Sequence, residues 1–359
     1  MADPATHVRE NWAVDRATSL SEVWANVAGH LGVVGAWRLM LVCRASCAGA
    51  KEFLGTLPGF VVCGGCPGGG RETSDVRRLD LATLRWEAMP SLLTRRAVLA
   101  CCVVRGALVV LGGATPSGGF TSSVEILSEG EGAFKELPPL SCDDMTDAAA
   151  VAVEASEGAA RQVLMLGGYT ENLAPVSLVH LVDLATGVCT PQPSLRRARD
   201  TFAAARLPNG SVVCAGGSAA EDWILSSVEV LEPAAQGTLD AAWTWRESPA
   251  MSVRRYGCRG CVLSDGRFAV LGGTSDYSQP LSSCETLTVG DGEHWEAMPP
   301  MHDARMFFAC AAVAGCVIVA GGRGLKSAEV FDEVLNRWLR LPCDIPFVDQ
   351  LYTMGSGML

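Results

Sequence analysis

The sequence predicts an all-β six-bladed propeller that follows a small N-terminal α-helical module. An apolar run that ends in a pair of glycines occurs six times in the chain, at intervals of 48 to 56 residues. A second marker, usually a large side chain with proline four residues later, follows each pair. The first 58 residues lack this repeat and space their apolar residues as helices do. We therefore expect residues 1–58 to form the helical module and residues 59–359 to form the propeller.

Composition narrows the class of partner. The chain has 359 residues, of which 49 % are hydrophobic and 19 % are charged, so a large folded core is expected and disorder is excluded. The net charge of −11 argues against nucleic acid and against an anionic membrane surface as the main partner. The longest uncharged apolar run, residues 309–322, is too short to span a membrane, and no signal peptide is visible.

The 15 cysteines are odd in number and scattered, and many lie inside apolar runs. This pattern is typical of reduced core residues in an intracellular protein, so we expect a cytoplasmic or nuclear location. Two Cys-x-x-Cys pairs, Cys63/Cys66 and Cys258/Cys261, fall in different repeats and do not predict a shared zinc site. Neither a metal nor a cofactor is expected.

The repeat is defined by its two markers. The first glycines of the six pairs are Gly64, Gly112, Gly167, Gly216, Gly272 and Gly321. The second markers and their prolines are Trp86/Pro90, Phe134/Pro138, Cys189/Pro193, Trp245/Pro249, Trp295/Pro299 and Trp338/Pro342. Each repeat therefore offers four short strands: a before the glycine run, b ending in the pair, c between the markers, and d carrying the second marker.

Four short antiparallel strands with these markers are typical of a propeller blade. Tryptophan supplies apolar area between neighbouring blades, and the proline ends strand d. Strand a is rich in Ala and Cys, which suits a strand near the crowded axis. One blade cannot bury both of its faces, so the blades must stack, and closing the ring removes exposed edges. Because no strand a precedes Val61, we expect Phe347–Met354 to pair with Val61–Cys63 and close the ring.

Residues 60–359 resemble a kelch β-propeller. The motifs that carry the resemblance are the Gly pairs and Trp-x-x-Met-Pro, which occurs at Trp86–Pro90 and Trp295–Pro299. Phe134 and Cys189 stand where the family has Trp. The resemblance implies a protein-binding module whose loops hold the partner.

The N-terminal module is predicted to contain three short helices. Residues 19–22 read as a capping box, which satisfies free amides at a helix start. Val23, Val27 and Leu31 follow at helical spacing on one face. A second helix is expected over residues 36–44 and a third around residues 51–54.

This module resembles an F-box, a helical unit that binds a Skp-type adaptor. The resemblance implies that an adaptor and its cullin would dock on apolar side chains of the module. These are Val23, Trp24, Val27, Leu31, Leu39 and Leu41. Alternatively, the helices pack on the propeller or on a second copy of the chain.

Arginines recur at the head of strand a and mark a candidate ligand face. In an antiparallel blade the d–a and b–c loops lie at the same end, so these residues share one face of the disc. They are Arg96, Arg199, Arg255 and Arg305, with Arg323 nearby in a b–c loop. Guanidinium groups bind carboxylates and phosphates bidentately, so we expect an acidic or phosphorylated peptide as target. Alternatively, these arginines bridge blades through backbone carbonyls and acidic neighbours.

No catalytic arrangement emerges from the sequence. The five histidines are spread along the chain without the spacing of a metal site or a nucleophilic triad, so an enzyme is not expected. Taken together, the two resemblances imply a substrate-recognition subunit of a cullin-type ubiquitin ligase. The alternatives are a kelch scaffold, for example on the cytoskeleton, and a propeller enzyme that uses the arginine-lined face.

Overall fold

The computed structural model of the protein describes residues 20–68, 71–142, 145–153, 161–172, 174–233, 243–347 and 350–359. In this part of the chain, two N-terminal helices precede six four-stranded antiparallel sheets. The sheets are arranged around an axis, because their innermost strands are each other's neighbours in a closed circuit. The expected six-bladed propeller with a helical N-terminus is thereby confirmed.

Each blade contains strands a, b, c and d from the axis outward, paired in that order. The strands are β28 (Gly355–Met358), β1 (Phe60–Cys63), β3 (Val76–Asp80) and β4 (Arg85–Ala88) in blade 1; β5 (Ala100–Val104), β6 (Ala107–Leu111), β7 (Val124–Ser128) and β8 (Lys135–Leu137) in blade 2; β10 (Ala149–Val153), β11 (Gln162–Leu166), β13 (Val179–Asp183) and β14 (Cys189–Pro191) in blade 3; β15 (Ala203–Arg206), β16 (Val212–Ala215), β17 (Val228–Glu232) and β18 (Thr244–Ser248) in blade 4; β19 (Arg259–Val262), β20 (Phe268–Leu271), β21 (Cys284–Thr288) and β22 (His294–Met298) in blade 5; and β23 (Ala309–Val313), β24 (Cys316–Ala320), β25 (Ala328–Asp332) and β26 (Arg337–Arg340) in blade 6. Two short pairs lie in the loops, namely β2 (Cys66–Pro67) with β27 (Leu351–Tyr352) and β9 (Met145–Thr146) with β12 (Tyr169–Thr170).

The ring is closed by a strand from the end of the chain, although it is not the expected segment. Strand β28 pairs with β1, so that Met358 faces Phe60 and Gly355 faces Cys63. The predicted strand Phe347–Met354 was wrong, because its described part contributes β27 to the loop pair with β2 instead. The more apolar segment looked more like a strand. The site next to the axis, however, demands small residues, and a Cβ on Gly355 would lie 2.5 Å from Leu99 Cδ1.

The buried apolar side chains of the described residues fall into six clusters, one between each pair of neighbouring blades. Each cluster includes or touches one of the second markers, as the sequence predicted. Three tryptophans also donate an Nε1–H hydrogen bond to a proline carbonyl at the end of the preceding blade. These bonds are Trp245 to Pro193 (2.7 Å), Trp295 to Pro249 (2.7 Å) and Trp338 to Pro299 (2.9 Å).

The Gly pairs let neighbouring blades approach closely. Gly216 has φ 70°, and a Cβ there would lie 2.5 Å from the carbonyl oxygen of Arg255 in the next blade. Gly217 N–H donates to the same carbonyl at 2.8 Å. Glycine is therefore required at this position for two reasons, the left-handed backbone and the space.

The helical module contains two helices, α1 (Ser21–Leu39) and α2 (Arg44–Gly55). The predicted helix over residues 36–44 was wrong, since α1 ends within it and α2 begins at its last residue. The capping box begins at Ser19, which lies outside the described residues. Helix α1 has non-helical backbone at Gly32, with φ 69° and ψ −173°, where the chain packs against the a–b turn of blade 6. In the described part of the chain, neither helix has the length and apolarity needed to cross a membrane.

The closing strand generates the first prediction. Gly355→Val should destabilise the protein by about 2 kcal/mol or more, because the added side chain overlaps Leu99 and the Cβ of Cys101. Urea unfolding of the full chain measures the effect. Gly119→Val is the control, since a Cβ at Gly119 meets nothing within 4 Å. Equal stability of the two variants would contradict closure by β28.

Candidate functional site

The d–a and b–c loops form one face of the disc, which we call the loop face. Strands a and c begin there, and strands b and d end there. Bridges between the two kinds of loop order the face, for example Ala97 with Ala114, Asp200 with Ser218 and Tyr256 with Thr274. The recurring arginines lie at this end of the blades, as expected.

The arginines do not face a partner, however. Arg255 is 1 % exposed and reaches inward along its own blade. Its Nη1 donates to the carbonyl oxygens of Gly272 and Ser283, both at 2.8 Å, and its Nε donates to Glu285 at 3.0 Å. Its Nη2 donates to the Ser283 hydroxyl at 3.0 Å. Every nitrogen of this guanidinium group is therefore occupied within the fold.

The same cluster recurs in blades 2, 4 and 6. A buried arginine contacts the first Gly carbonyl, a serine that precedes strand c and a glutamate on strand c. The sets are Arg96 with Gly112, Ser123 and Glu125; Arg199 with Gly216, Ser227 and Glu229; and Arg305 with Gly321, Ser327 and Glu329. All three arginines are 0 % exposed. The prediction that Arg96, Arg199, Arg255 and Arg305 bind a partner is wrong, and the alternative of a structural bridge holds.

The glutamate completes the bridge to the preceding blade. In blade 6, Glu329 accepts the backbone N–H groups of His302 and Asp303, at 2.7 and 3.0 Å, while it pairs with Arg305. The d–a loop is thus tied to strand c by a buried, fully hydrogen-bonded ion pair. Removing one partner of such a pair is costly, because it leaves the other charge buried and uncompensated.

Blades 1 and 3 replace the whole cluster. By strand register, blade 3 has Met145 at the arginine position, Leu178 at the serine position and His180 at the glutamate position. Blade 1 has Leu351 at the arginine position, and Leu351 and Met145 are both buried. Because the glutamate is replaced wherever the arginine is replaced, no glutamate is left buried there without its arginine.

Arg323, the fifth predicted residue, is exposed in the b–c loop of blade 6. It remains a candidate contact for a partner. The alternative of an enzyme requires a cluster of accessible arginines to bind substrate carboxylates. The four other arginines are enclosed in the fold and cannot serve in such a cluster.

A ring of backbone hydrogen bonds surrounds the axis on the loop face. One residue in each d–a loop, two positions after the arginine position, has left-handed backbone with φ between 50° and 66°. Each donates its N–H to the carbonyl of the equivalent residue one blade back, over 2.9 to 3.1 Å. The ring consists of Val98, Asp147, Thr201, Gly257, Phe307 and Thr353.

The ring is the mouth of a central channel with a cavity of about 160 Å³. The carboxylate of Asp147 lies at this mouth, with that of Asp200 close by. Removal from water and the nearby charge of Asp200 raise the pKa of Asp147 to about 7, and burial raises the pKa of Asp200 to about 6. Burial, together with both carboxylates, also raises the pKa of Tyr256. Arg259 lies deeper, where its Nε donates to the Phe308 carbonyl at 2.7 Å.

Aromatic rings extend from the channel mouth across blades 4 and 5, and we call Phe307, Tyr256, Tyr277 and Trp223 the aromatic strip. The ring centroids of Phe307 and Tyr256 are 5.4 Å apart, those of Tyr256 and Tyr277 are 4.9 Å apart, and those of Tyr277 and Trp223 are 6.4 Å apart. Trp223 is 74 % exposed. Sequence reasoning missed the strip, although the position two residues after each repeating arginine could have pointed to Phe307 at its inner end.

The helical module packs on the opposite face of the disc. Trp37 Nε1 donates to the Leu81 carbonyl at 2.7 Å, beyond strand c of blade 1, and the side chains of Val33 and Val34 join the core of blades 1 and 6. Val23, Val27, Leu31 and Leu41, the predicted adaptor contacts, remain 36 to 89 % exposed. Of the other two, Trp24 is half-buried, and Leu39 packs partly against the shared core.

Comparison with known proteins places this geometry in a family. The chain is 26 % identical over 298 residues to Kelch-like protein 34 of Homo sapiens, a match that covers 77 % of this chain. An F-box/kelch-repeat protein of Arabidopsis thaliana is 45 % identical over 56 residues, or 14 % of this chain. The chain is similar to kelch-repeat proteins. Its relatives are named for the same repeat that the Gly pairs and the six blades display.

The propeller also resembles solved structures. The structure of YjhT matches 67 % of this chain and 82 % of its own chain, with a TM-score of 0.55 and 13 % identity, which supports the fold alone. The matched region spans only 43 % of the human relative and 15 % of the plant relative. No family model matches the chain.

The arginine clusters generate a prediction with an internal control. Arg255→Ala should lower the free energy of unfolding by about 3–5 kcal/mol, because Glu285 would be left buried without its cation. The neighbouring Arg254 is exposed, so Arg254→Ala should change stability by less than about 0.5 kcal/mol. Chemical denaturation of both variants measures the difference. Comparable stability of the two variants would show that Arg255 is not a structural bridge.

The two carboxylates predict a pH dependence of stability. Both pKa values are higher in the folded protein than the usual 3.8, so folding favours the protonated forms. This stabilisation is complete below about pH 4 and is lost as pH rises through about 6 to 7. Asp147→Asn with Asp200→Asn should therefore stabilise the protein by at least about 1 kcal/mol at pH 8 and by less at pH 5. Urea unfolding at both values tests this, and a difference that grows toward pH 5 would contradict it.

Proposed function

We propose that this protein is a substrate-recognition subunit of a cullin-type ubiquitin ligase. The observation that carries the proposal is an exposed apolar surface on the helical module, directed away from the propeller. In this role the module binds a Skp-type adaptor, the loop face holds the target protein, and the chain itself performs no chemistry. F-box/kelch-repeat proteins among its relatives support the pairing of these two functions.

The apolar surface has the pattern of a helix that docks on a partner. Leu20, Val23, Val27 and Leu31 follow at spacings of three, four and four residues, so they lie along one side of α1 before the break at Gly32. At the turn between the helices, Leu41 and Val42 are 89 % and 66 % exposed. Contiguous exposed apolar side chains of this kind mark protein interaction sites.

The opposite sides of α1 and α2 are fixed to the propeller. Gly32 allows the last part of α1 to turn onto blade 6, where Val33 N–H meets the Ala314 carbonyl. At the end of the same helix, Arg38 forms an ion pair with Asp332 of blade 6 at 3.6 Å. An adaptor on the apolar stripe would therefore be held at a defined distance from a target on the loop face, which a ligase receptor requires.

The second candidate is a kelch scaffold in which the same stripe serves self-association. The stripe by itself supports both functions, because a second copy of the chain could bury the same residues. The identity of the captured protein distinguishes the two.

Affinity purification of the full chain from cells tests the proposal. Leu31→Asp with Leu41→Asp should remove the adaptor and the cullin from the purified complex without lowering the thermal transition, since both side chains are exposed. Val188→Asp is the matched control, because Val188 is 50 % exposed on the outer edge of blade 3. Recovery of self-dimers or actin, with no adaptor or cullin in the unmodified complex, would favour the scaffold.

A further inference from the structure

The outer end of the aromatic strip is a groove between blades 4 and 5. A cavity of about 490 Å³ lies there, bounded by Trp223, Tyr277 and three carboxylates. The Tyr277 hydroxyl donates to the Trp223 backbone carbonyl and lies 3.0 Å from the Ser218 hydroxyl, so the Tyr277 ring is held in place beside Trp223. A large exposed aromatic surface of this kind indicates a binding site for a partner.

The charge of this groove is negative. Its carboxylates are Glu221, Asp222 and Asp276. Hydrogen bonds from the backbone N–H groups of Gln279 and Ser278 lower the pKa of Asp276 to about 2, so it is ionised at all physiological pH values. Two arginines oppose them: Arg197 forms an ion pair with Asp222, and Arg254 donates from Nε to the Ser275 carbonyl at 2.9 Å.

The inner end of the strip also carries carboxylates. Asp147 lines the channel mouth, and Asp200 lies close enough to raise the pKa of Asp147 further. The only described cation that acts on Asp147 is Arg259. Thr201 lines the same cavity, and its hydroxyl lies close enough to both carboxylates to lower their pKa values against the effect of burial.

We propose that the aromatic strip binds a basic peptide segment of the target protein. One arginine or lysine side chain enters the channel mouth at Asp147, Asp200 and Thr201, and a second lies over the Trp223 and Tyr277 rings. The proposal rests on the loop-face part of the proposed function and is independent of the adaptor. The proposed target is basic, whereas the sequence predicted an acidic one, because the arginines that favoured an acidic peptide are enclosed in the fold.

The chemistry of both ends selects the same kind of side chain. A guanidinium or ammonium group is attracted to the face of an aromatic ring and pairs with a carboxylate, and the strip offers both together. A carboxylate or phosphate would meet like charge at each end of the strip. The five carboxylates outnumber the three arginines, so a cation also lowers the repulsion within the site.

Fluorescence anisotropy with short peptides tests the proposal on the full chain. The probe is fluorescein-labelled Ser-Gly-Arg-Ser-Gly-Arg-Ser-Gly, compared with the same peptide carrying Glu in place of both arginines. We expect the arginine peptide to bind at least tenfold more tightly at pH 7.5. Asp147→Asn with Asp200→Asn, and separately Trp223→Ala, should each weaken binding about fivefold or more.

Two controls separate the site from general attraction to an acidic protein. Glu136→Gln with Asp291→Asn removes the same charge at exposed positions outside the strip, and should leave the affinity within twofold. Affinity should also rise from pH 5.5 to 7.5, since the channel carboxylates ionise over this range whereas exposed carboxylates are already charged.

Three outcomes would overturn the proposal. They are tighter binding of the glutamate peptide, an equal loss of affinity in the Glu136/Asp291 charge control, and an affinity that Trp223→Ala leaves unchanged. If the unmodified chain recovers no adaptor or cullin but binds the arginine peptide as expected, only the ligase role is contradicted. If the adaptor and cullin co-purify but the chain does not distinguish the arginine peptide from the glutamate peptide, only the proposal of a basic target is contradicted.

Discussion

A closed circuit of backbone hydrogen bonds around the propeller axis fixes the position of the candidate site. Each d–a loop contributes one left-handed residue, whose N–H bonds to the loop one blade back. The frame uses only backbone atoms, so the side chain at this position is free to vary. Five of the six residues are not glycine, and left-handed backbone costs about 1–2 kcal/mol at each of them. Asp147, Thr201 and Phe307 reach the channel mouth because this frame places them there.

The buried ion pairs hold the same d–a loops in place, farther from the axis than the backbone hydrogen bonds. An arginine such as Arg255 holds a glycine carbonyl, a serine and a glutamate within its own blade, and the glutamate holds the loop from the blade before. A charge so fully enclosed is unavailable to a ligand, however suitable its chemistry. In blades 1 and 3 a buried apolar residue, Leu351 or Met145, takes the place of the arginine, and the glutamate is replaced as well.

The two faces of the disc carry different chemistry, which permits separate partners. The helical module covers blades 1 and 6 on one face and leaves an apolar stripe exposed, with Leu31 and Leu41 among its side chains. The loop face has carboxylates and aromatic rings around its channel mouth and across blades 4 and 5. Because these surfaces lie on opposite sides of a rigid ring, binding at one does not obstruct the other.

The sequence by itself determined the repeat, the number of blades and the packing role of the second markers, since these depend on local strand length, turns and apolar area. It also showed that the chain end must supply a strand, but apolar content pointed to Phe347–Met354, whereas the crowded axis selects the small residues of β28. For the same reason it could not decide what the arginines do. Arg255 and Glu285 are 30 residues apart, and only the pairing of strands b and c brings the glutamate to the guanidinium group. The aromatic strip was likewise decided by tertiary structure, because its rings come from four loops that meet only when neighbouring blades pack together.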